Sequence, residues 1–509
     1  MRFGILRKHS LWSSIYILLA ITLIFTTVGC SVVQKATPTS STVRMAAAAK
    51  AQSSSQLQNV TAGSPSSTRR RRSGPSHRPE PAVATASSPA PTPSPAPSPS
   101  PTPSPTPTPT TTGEQARGAD TFVDTIGTNV HLHYLDTVYG NYALIRQRLI
   151  DSGIRHVRDG ADLTTDPVYN DLAVGHYADL ATVGVKVDLI VDPRSSIKQV
   201  TTNTISALKA LAGNGLEFFE GPNEYDISGD SQWAQKLRSY QQELYASVKQ
   251  NASTKNVPVL APSLVQAASV SQLGNLNTIS DFANMHSYSG GNLPSNQLAQ
   301  LASLNEDVAS GKPMIPTECG FHNAVGSNGG FPGVSEAAAG KYMPRLFLEY
   351  FNQGFPRTYN YEFIDEKADA TNDPQMHFGL LRVDGSTKPA FTAVANLIEI
   401  LKDPGATFSP AKLDYKMTGA LNSIHHTLLE KRDGRFYLIL WQEIASFNLQ
   451  AKQDISNPNE PVTISFANTP QSINVYFPMN SAATSQKFQK TQKINVAVPD
   501  HPVILELTF

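Results

Sequence analysis

The chain has 509 residues, enough for more than one domain, and its 41 Lys+Arg balance 41 Asp+Glu. A formal net charge of zero gives no reason to expect a nucleic-acid partner. With two cysteines, Cys30 and Cys319, a disulfide framework is excluded.

The N-terminus carries Arg2, Arg7 and Lys8 ahead of an apolar run from Leu11 to Val28, the pattern of an export signal or membrane anchor rather than a fold element. It ends at Thr27-Val28-Gly29-Cys30, which resembles a bacterial lipobox and implies lipidation at Cys30; Thr27 stands where such boxes usually have Leu, so an uncleaved signal anchor stays open. Either way a protein tethered to the outer face of the membrane is expected. Residues 31–113 are low in complexity: a Ser/Ala/Thr/Gln-rich part, the run Arg69-Arg70-Arg71-Arg72, then Pro alternating with Ser, Thr and Ala from Pro89 to Thr112. This composition cannot bury a core, and the Pro-rich part favours polyproline II, spanning about 70 Å at about 3.1 Å per residue.

Eight strand-like segments then alternate with helix-like ones. The strands are expected at Thr128–Tyr134, Arg155–Gly160, Lys186–Pro193, Leu216–Glu224, Pro258–Leu264, Phe282–Tyr288, Met314–Gly320 and Arg357–Asp365. Helices are expected at Tyr142–Ser152, Ile205–Ala212, Ser231–Lys249, Pro294–Ser310 and Glu336–Phe351. Alternation of this kind implies parallel pairing, and eight units close into a (β/α)8 barrel over residues 114–405. Functional residues of such a barrel lie at the C-terminal strand ends. Two segments there deliver a carboxylate after Gly/Pro punctuation: Glu224 in Glu220-Gly221-Pro222-Asn223-Glu224, and Glu318 in Ile315-Pro316-Thr317-Glu318-Cys319-Gly320. Two carboxyls held together can divide acid and nucleophile duties, the chemistry of retaining glycoside cleavage. Glu220 is a competing acid.

The segment from about Asp120 to Asp403 resembles the clan A retaining glycoside hydrolases, a group that includes cellulase-like and β-xylosidase-like families. The resemblance rests on Asn223-Glu224 after strand four, Glu318 at strand seven, Arg158 on strand two and His286-Ser287-Tyr288 on strand six. The tail Phe378-Gly379-Leu380-Leu381 with Lys388-Pro389-Ala390-Phe391 belongs to it too. It implies Glu224 as general acid/base, Glu318 as nucleophile, Arg158 and Tyr288 holding Glu318 ionised, and Asn223 facing a sugar hydroxyl. Where many clan members place a Trp platform on strand eight, this chain has Tyr361.

At the rim, His131 and His133 end strand one at alternate positions and so share a face, with one of them expected to line the sugar site. No third ligand at suitable spacing accompanies the pair, so no metal is expected, nor any other cofactor. Glu362 on strand eight is expected to contact substrate, while Asp365 either does so or caps a loop. Trp233 reads as core. Strand alternation turns Cys319 away from the face of Glu318, against a thiol-hydrolase reading, and no Gly-x-Ser-x-Gly elbow is present.

Residues 406–509 change character. Strands at Ser423–Glu430, Arg435–Gln442, Val462–Ala467, Ser472–Met479 and Ile494–Phe509, with a turn at Lys431-Arg432-Asp433-Gly434, suggest a small β-sandwich that packs rather than binds sugar. The whole reads as a monomeric, membrane-tethered retaining β-glycosidase acting on carbohydrate. A non-catalytic carbohydrate-binding lipoprotein on a degenerate barrel is the alternative.

Overall fold

The computed structural model describes residues 113–163, 175–327, 329–369 and 372–509; the apolar N-terminal run, Cys30 and the low-complexity linker up to Thr112 lie outside the described residues. Eight parallel strands form the barrel: β1 Ile126–Asn129, β2 His156–Gly160, β3 Lys186–Ile190, β4 Leu216–Glu220, β5 Val259–Leu260, β6 Ala283–His286, β7 Met314–Glu318 and β8 Thr358–Asn360. Parallel ladders join β8 to β1 and run through β2, β3 and β4 to β5, and β6 pairs with β7. Single parallel bridges, Leu260 to Phe282 and Cys319 to Asn360, close the two remaining gaps. The chain is therefore a (β/α)8 barrel, with both faces of each strand buried as a parallel sheet requires.

The outer layer includes α1 Ala119–Asp124, α2 Tyr142–Ser152, α3 Gly175–Thr182, α4 Thr202–Ala212, α5 Trp233–Gln250, α6 Ala267–Leu273, α7 Leu298–Glu306, α8 Glu336–Asn352 and α9 Pro389–Leu401. Local sequence sets their limits. A capping box of Thr201 and Thr204 starts α4, the Ser335 hydroxyl accepts the Ala338 N–H to start α8, and Gly153 in the left-handed region ends α2. Trp233 packs against the barrel core, as expected.

Strand ends depart from expectation at functional points. β1 stops at Asn129 rather than Tyr134, because a turn bonding the Tyr134 N–H to the His131 carbonyl at 2.8 Å leaves the sheet. β4 stops at Glu220 rather than Glu224. Gly221 packs where a Cβ would lie 2.9 Å from the Pro262 nitrogen, and Pro222 has no N–H to continue the ladder. The final expected strand, Ile494–Phe509, is two strands broken at Pro499-Asp500-His501-Pro502.

The C-terminal residues build a β-sandwich. One sheet contains Tyr415–Gly419, Glu460–Phe466 and Lys493–Val498. The other runs Gln486–Gln489, Ser472–Tyr476, Val503–Thr508, Phe436–Gln442, Ile424–Glu430 and then the N-terminal Arg117–Gly118, which joins it in parallel. Alternating apolar residues such as Leu438, Leu440, Ile464, Ile473 and Val496 form its core. Its Trp441 is fully buried and donates to Glu349 of α8 at 2.9 Å.

The sandwich docks on α8 through a buried charge. Arg345 is fully enclosed and reaches Glu443 at 2.8 Å through Nε, and the Ile444 and Asp500 carbonyls through Nη1. Removing one partner of a buried pair leaves the other charge uncompensated, at a cost of about 3–5 kcal/mol, whereas exposed pairs are worth under about 1. Arg345→Ala should thus lower stability by about 3–5 kcal/mol in urea unfolding, and Arg148→Ala, on the surface of α2, by less than about 1. Equal effects would show that Arg345 is no anchor.

Candidate active site

The polar residues gather at the C-terminal end of the barrel. Asn129, Glu220, His286, Glu318 and Asn360 are each the last residue of a strand, and Arg158 stands third in β2. Arg158 is 1 % exposed and uses every N–H of its guanidinium. Nε and Nη2 clamp Glu220 at 2.8 and 2.7 Å, Nη1 reaches Asn129 Oδ1 and Glu318 Oε1 at 2.8 Å each, and Nη2 reaches Asn223 Oδ1 at 2.7 Å. A planar fork suits this two-pronged pairing, where lysine would offer a point charge.

Glu318 meets three donors. Besides Arg158, the Tyr288 hydroxyl donates to Oε2 at 2.8 Å and His286 Nδ1 stands 3.5 Å away. Burial alone would raise its pKa, but His286, Arg158 and Tyr288 together outweigh burial and hold the carboxyl below its usual range. Glu224 is placed differently. It sits four residues beyond β4 in the left-handed region (φ 46°), a conformation that side chains other than Gly rarely adopt, and its N–H donates to Ser263 Oγ at 3.2 Å. Burial pushes its pKa up, with Glu318 and Asp226 adding to that, against a hydrogen bond to His286 Nδ1 at 2.7 Å. Burial opposes the His286 cation, but Glu318 and Glu224 prevail and raise its pKa above the usual imidazole value. One oxygen of Glu224, one of Glu318 and a His286 ring nitrogen all lie within 4.8 Å of one another.

Asn223 Oδ1 accepts from Arg158 and Ser263, and its amide Nδ2 donates no hydrogen bond among the described residues. Glu220, the competing acid, lies beneath the site, fully buried and bound by Arg158 and by Asn284 Nδ2 at 2.9 Å. Cys319 points into the barrel wall, its Sγ 3.3 Å from the Tyr359 carbonyl, and burial with Glu318 nearby pushes the thiol far up, which suits packing and not attack.

Past the end of β1, His131 and His133 stay neighbours, their rings edge to face with centroids 6.2 Å apart, but they take different carboxylate partners. His133 pairs with Asp159 at 2.9 Å, while His131 stacks on Tyr134 and has Nε2 3.6 Å from Glu362. Burial lowers the His131 pKa to about 4. Glu362 is fully buried and accepts the Tyr139 hydroxyl at 3.0 Å; burial and then Glu366 push it well above the carboxylate range. Asp365 takes Lys388 Nζ at 2.8 Å and the Gly379 N–H at 2.9 Å, so it braces the loop after β8 and does not face the site. Tyr361, in place of a Trp, is 4 % exposed and packs with Phe331, Phe378 and Tyr288 as an aromatic wall.

Sequence reading missed the supports. Asn129, Asp188, Asn284 and Thr317 are buried polar groups on barrel strands. Thr317 Oγ1 bonds Asn284 Oδ1 at 2.7 Å and Asn129 Nδ2 bonds the Thr317 carbonyl at 2.9 Å. Their one signal was a polar residue inside an otherwise apolar run.

No family model matches the chain, and no curated protein matches it. Solved structures do. The chain is similar to a GH39 enzyme from Xanthomonas axonopodis pv. citri at 13 % identity and TM-score 0.51, covering 77 % of this chain and 95 % of that one. A monomeric β-xylosidase from Caulobacter crescentus CB15 is similar at 14 % identity and TM-score 0.50, covering 77 % and 97 %. The chain shares with these structures a (β/α)8 barrel carrying a C-terminal β-domain. At these identities the likeness shows the fold alone.

Tyr288→Phe tests the electrostatics directly. A hydrogen bond to a charged group is worth about 1.5 kcal/mol, near one pKa unit. Losing the phenol donor should raise the Glu318 pKa by about that much in a carbon-13 NMR titration of the carboxyl. An unmoved titration would remove Tyr288 from the account.

Proposed function

We propose that this chain is a retaining β-glycoside hydrolase. The observation that carries the reading is the pair of opposed environments within 4.8 Å: His286, Arg158 and Tyr288 hold the Glu318 pKa down, and burial holds that of Glu224 up. Retaining enzymes set their carboxyls about 5–5.5 Å apart, and inverting ones leave about 6.5–9.5 Å for a water. The close approach favours double displacement.

In the first step a Glu318 oxygen attacks the anomeric carbon. The glycosidic C–O bond breaks, and Glu224 gives its proton to the departing oxygen. In the second, Glu224, now a carboxylate, takes a proton from water. The water oxygen attacks the same carbon, and Glu318 leaves as carboxylate. Asn223 Nδ2 is positioned to donate to a hydroxyl of the bound sugar, and His131, His133 and Glu362 stand along the β1–β8 wall as further sugar contacts. The similar Caulobacter crescentus protein is a β-xylosidase, which makes aryl β-xylosides the first substrates to try.

Proton NMR of the first-formed anomer should show retention; inversion would discard the mechanism. Glu318→Gly should lower turnover by about a thousandfold or more, and azide should rescue it to a product of inverted configuration. Glu224→Ala should keep glycosylation by activated aryl glycosides, lose it on poor leaving groups, and be rescued by azide with retention. Near-normal rates in both variants would refute the assignment. A native protein that binds a glycan and cleaves none would be a binding protein instead. For the native enzyme, kcat/KM should fall at low pH as Glu318 takes a proton, below the usual carboxylate range, and at high pH as Glu224 loses one, above it.

The apolar run ending at Cys30 supports a lipid tether on the outer face of the membrane. Cys30→Ser should move the protein from the detergent phase to the aqueous phase. If wild type and variant partition alike, the retained segment Leu11–Val28 is the anchor.

A further inference from the structure

His131 on the β1 loop and Glu362 and Glu366 after β8 each bring one ligand atom into a group whose members lie within 4.8 Å of one another. The third ligand that spacing near His131 did not supply comes from the far end of the barrel, because β8 is the hydrogen-bonded neighbour of β1.

Three features separate this group from an ordinary acidic patch. Glu362 is fully buried, and its Oε1 has no hydrogen-bond partner among the described residues. His131 Nε2 is also buried and lacks a hydrogen-bond partner there, standing 3.6 Å from Glu362 Oε2. The side chain of Glu366 makes no hydrogen bond or ion pair among the described residues. The basic groups nearby are paired with other carboxylates: Lys367 with Asp136 at 2.8 Å, Lys388 with Asp365 at 2.8 Å, His133 with Asp159 at 2.9 Å, and Arg158 with Glu220 and Glu318. Two carboxyls and an imidazole converge, then, while each neighbouring basic group is paired with another carboxylate. Burying such groups unpaired is costly.

We propose that His131, Glu362 and Glu366 bind a divalent cation of the Zn2+ or Mn2+ type. An imidazole with two carboxylates suits those ions better than Mg2+ or Ca2+, which prefer all-oxygen shells. Ligand bonds of about 2.0–2.2 Å put ligand atoms at most about 4.4 Å apart, a few tenths of an ångström inside the observed limit. Tyr139, which donates to Glu362 Oε2, orients the carboxylate from outside the coordination shell. Three protein ligands leave room for water or a sugar hydroxyl.

Glu224, His286 and Glu318 also converge within 4.8 Å, so the test must tell the two groups apart. The full chain, stripped with chelator, is titrated with Zn2+ and separately with Mn2+ by calorimetry, with thermal unfolding alongside. One ion per chain should bind and raise Tm. Glu362→Gln and Glu366→Gln should each weaken binding at least tenfold, and Glu224→Gln and Glu318→Gln should leave it unchanged. Glu366→Gln, less deeply buried, serves where Glu362→Gln fails to fold, and Co2+ absorption spectra of the folded variants report the ligand set. No binding at micromolar metal would overturn the proposal. So would loss of binding in Glu224→Gln or Glu318→Gln with retention in Glu366→Gln, which would place the ion between the catalytic carboxyls. This test reads metal occupancy, so it stands or falls apart from the glycosidase reading.

Discussion

Everything at the C-terminal end of the barrel is organised around one buried cation. Arg158 is enclosed by β1, β4, β7 and the loop after β4, and each of its N–H groups has an acceptor. A guanidinium in that position without full pairing would cost several kcal/mol, so the acceptors are requirements of the fold before they are parts of a site. The division of its bonds matters chemically. Glu220 takes the two-pronged pairing and Glu318 a single end-on bond. Because Glu220 absorbs much of the charge from below, Glu318 is kept ionised without being locked into a rigid double bond to the arginine. Its second oxygen is left to Tyr288, and the carboxylate can still turn toward a reacting carbon.

Glu224 faces the same pocket with the opposite bias. It reaches the site on a strained turn rather than a strand, with Ser263 fixing its N–H and His286 bonded to its carboxyl. His286 stands between the two glutamates, 2.7 Å from one and 3.5 Å from the other. Its charge stabilises the anion of Glu318 and moderates the rise that burial imposes on Glu224. Two chemically identical groups thus have their pKa values pushed in opposite directions by what lies on either side of them.

The fold and the close approach of Glu224 and Glu318 were legible because both leave marks in short stretches of sequence. Apolar runs ending in Gly/Pro and a carboxylate mark buried strands that stop at a rim, and the order of Arg158, Asn223-Glu224, His286-Ser287-Tyr288 and Glu318 fits one barrel. The supports were not legible. Asn129, Asn284 and Thr317 matter through contacts between strands 33 to 188 residues apart in sequence. The different carboxylate partners of His131 and His133 depend on the turn that follows β1. The grouping of His131 with Glu362 and Glu366 depends on barrel closure, which makes the first and last strands neighbours although more than two hundred residues separate them. Alternation rules describe a strand while it lasts and say nothing once it has ended.

The sandwich has a place in the same chain of constraints. Its Trp441 and His425 both bond Glu349 Oε1, at 2.9 and 2.6 Å, and Glu349 lies on α8. The next residue, Tyr350, exchanges hydrogen bonds with Ser287, its hydroxyl 2.9 Å from Oγ and 3.1 Å from the backbone carbonyl. Ser287 stands between His286 and Tyr288, which act with Arg158 and burial on the pKa values of Glu224 and Glu318. A continuous line of buried contacts therefore runs from the β-domain through one helix to the imidazole and phenol of the site. This gives the domain a physical reason to be attached that needs no sugar-binding face. With Trp441 turned inward onto α8, it holds that helix, and with it the His286–Tyr288 segment, against the barrel end where both carboxyls must meet.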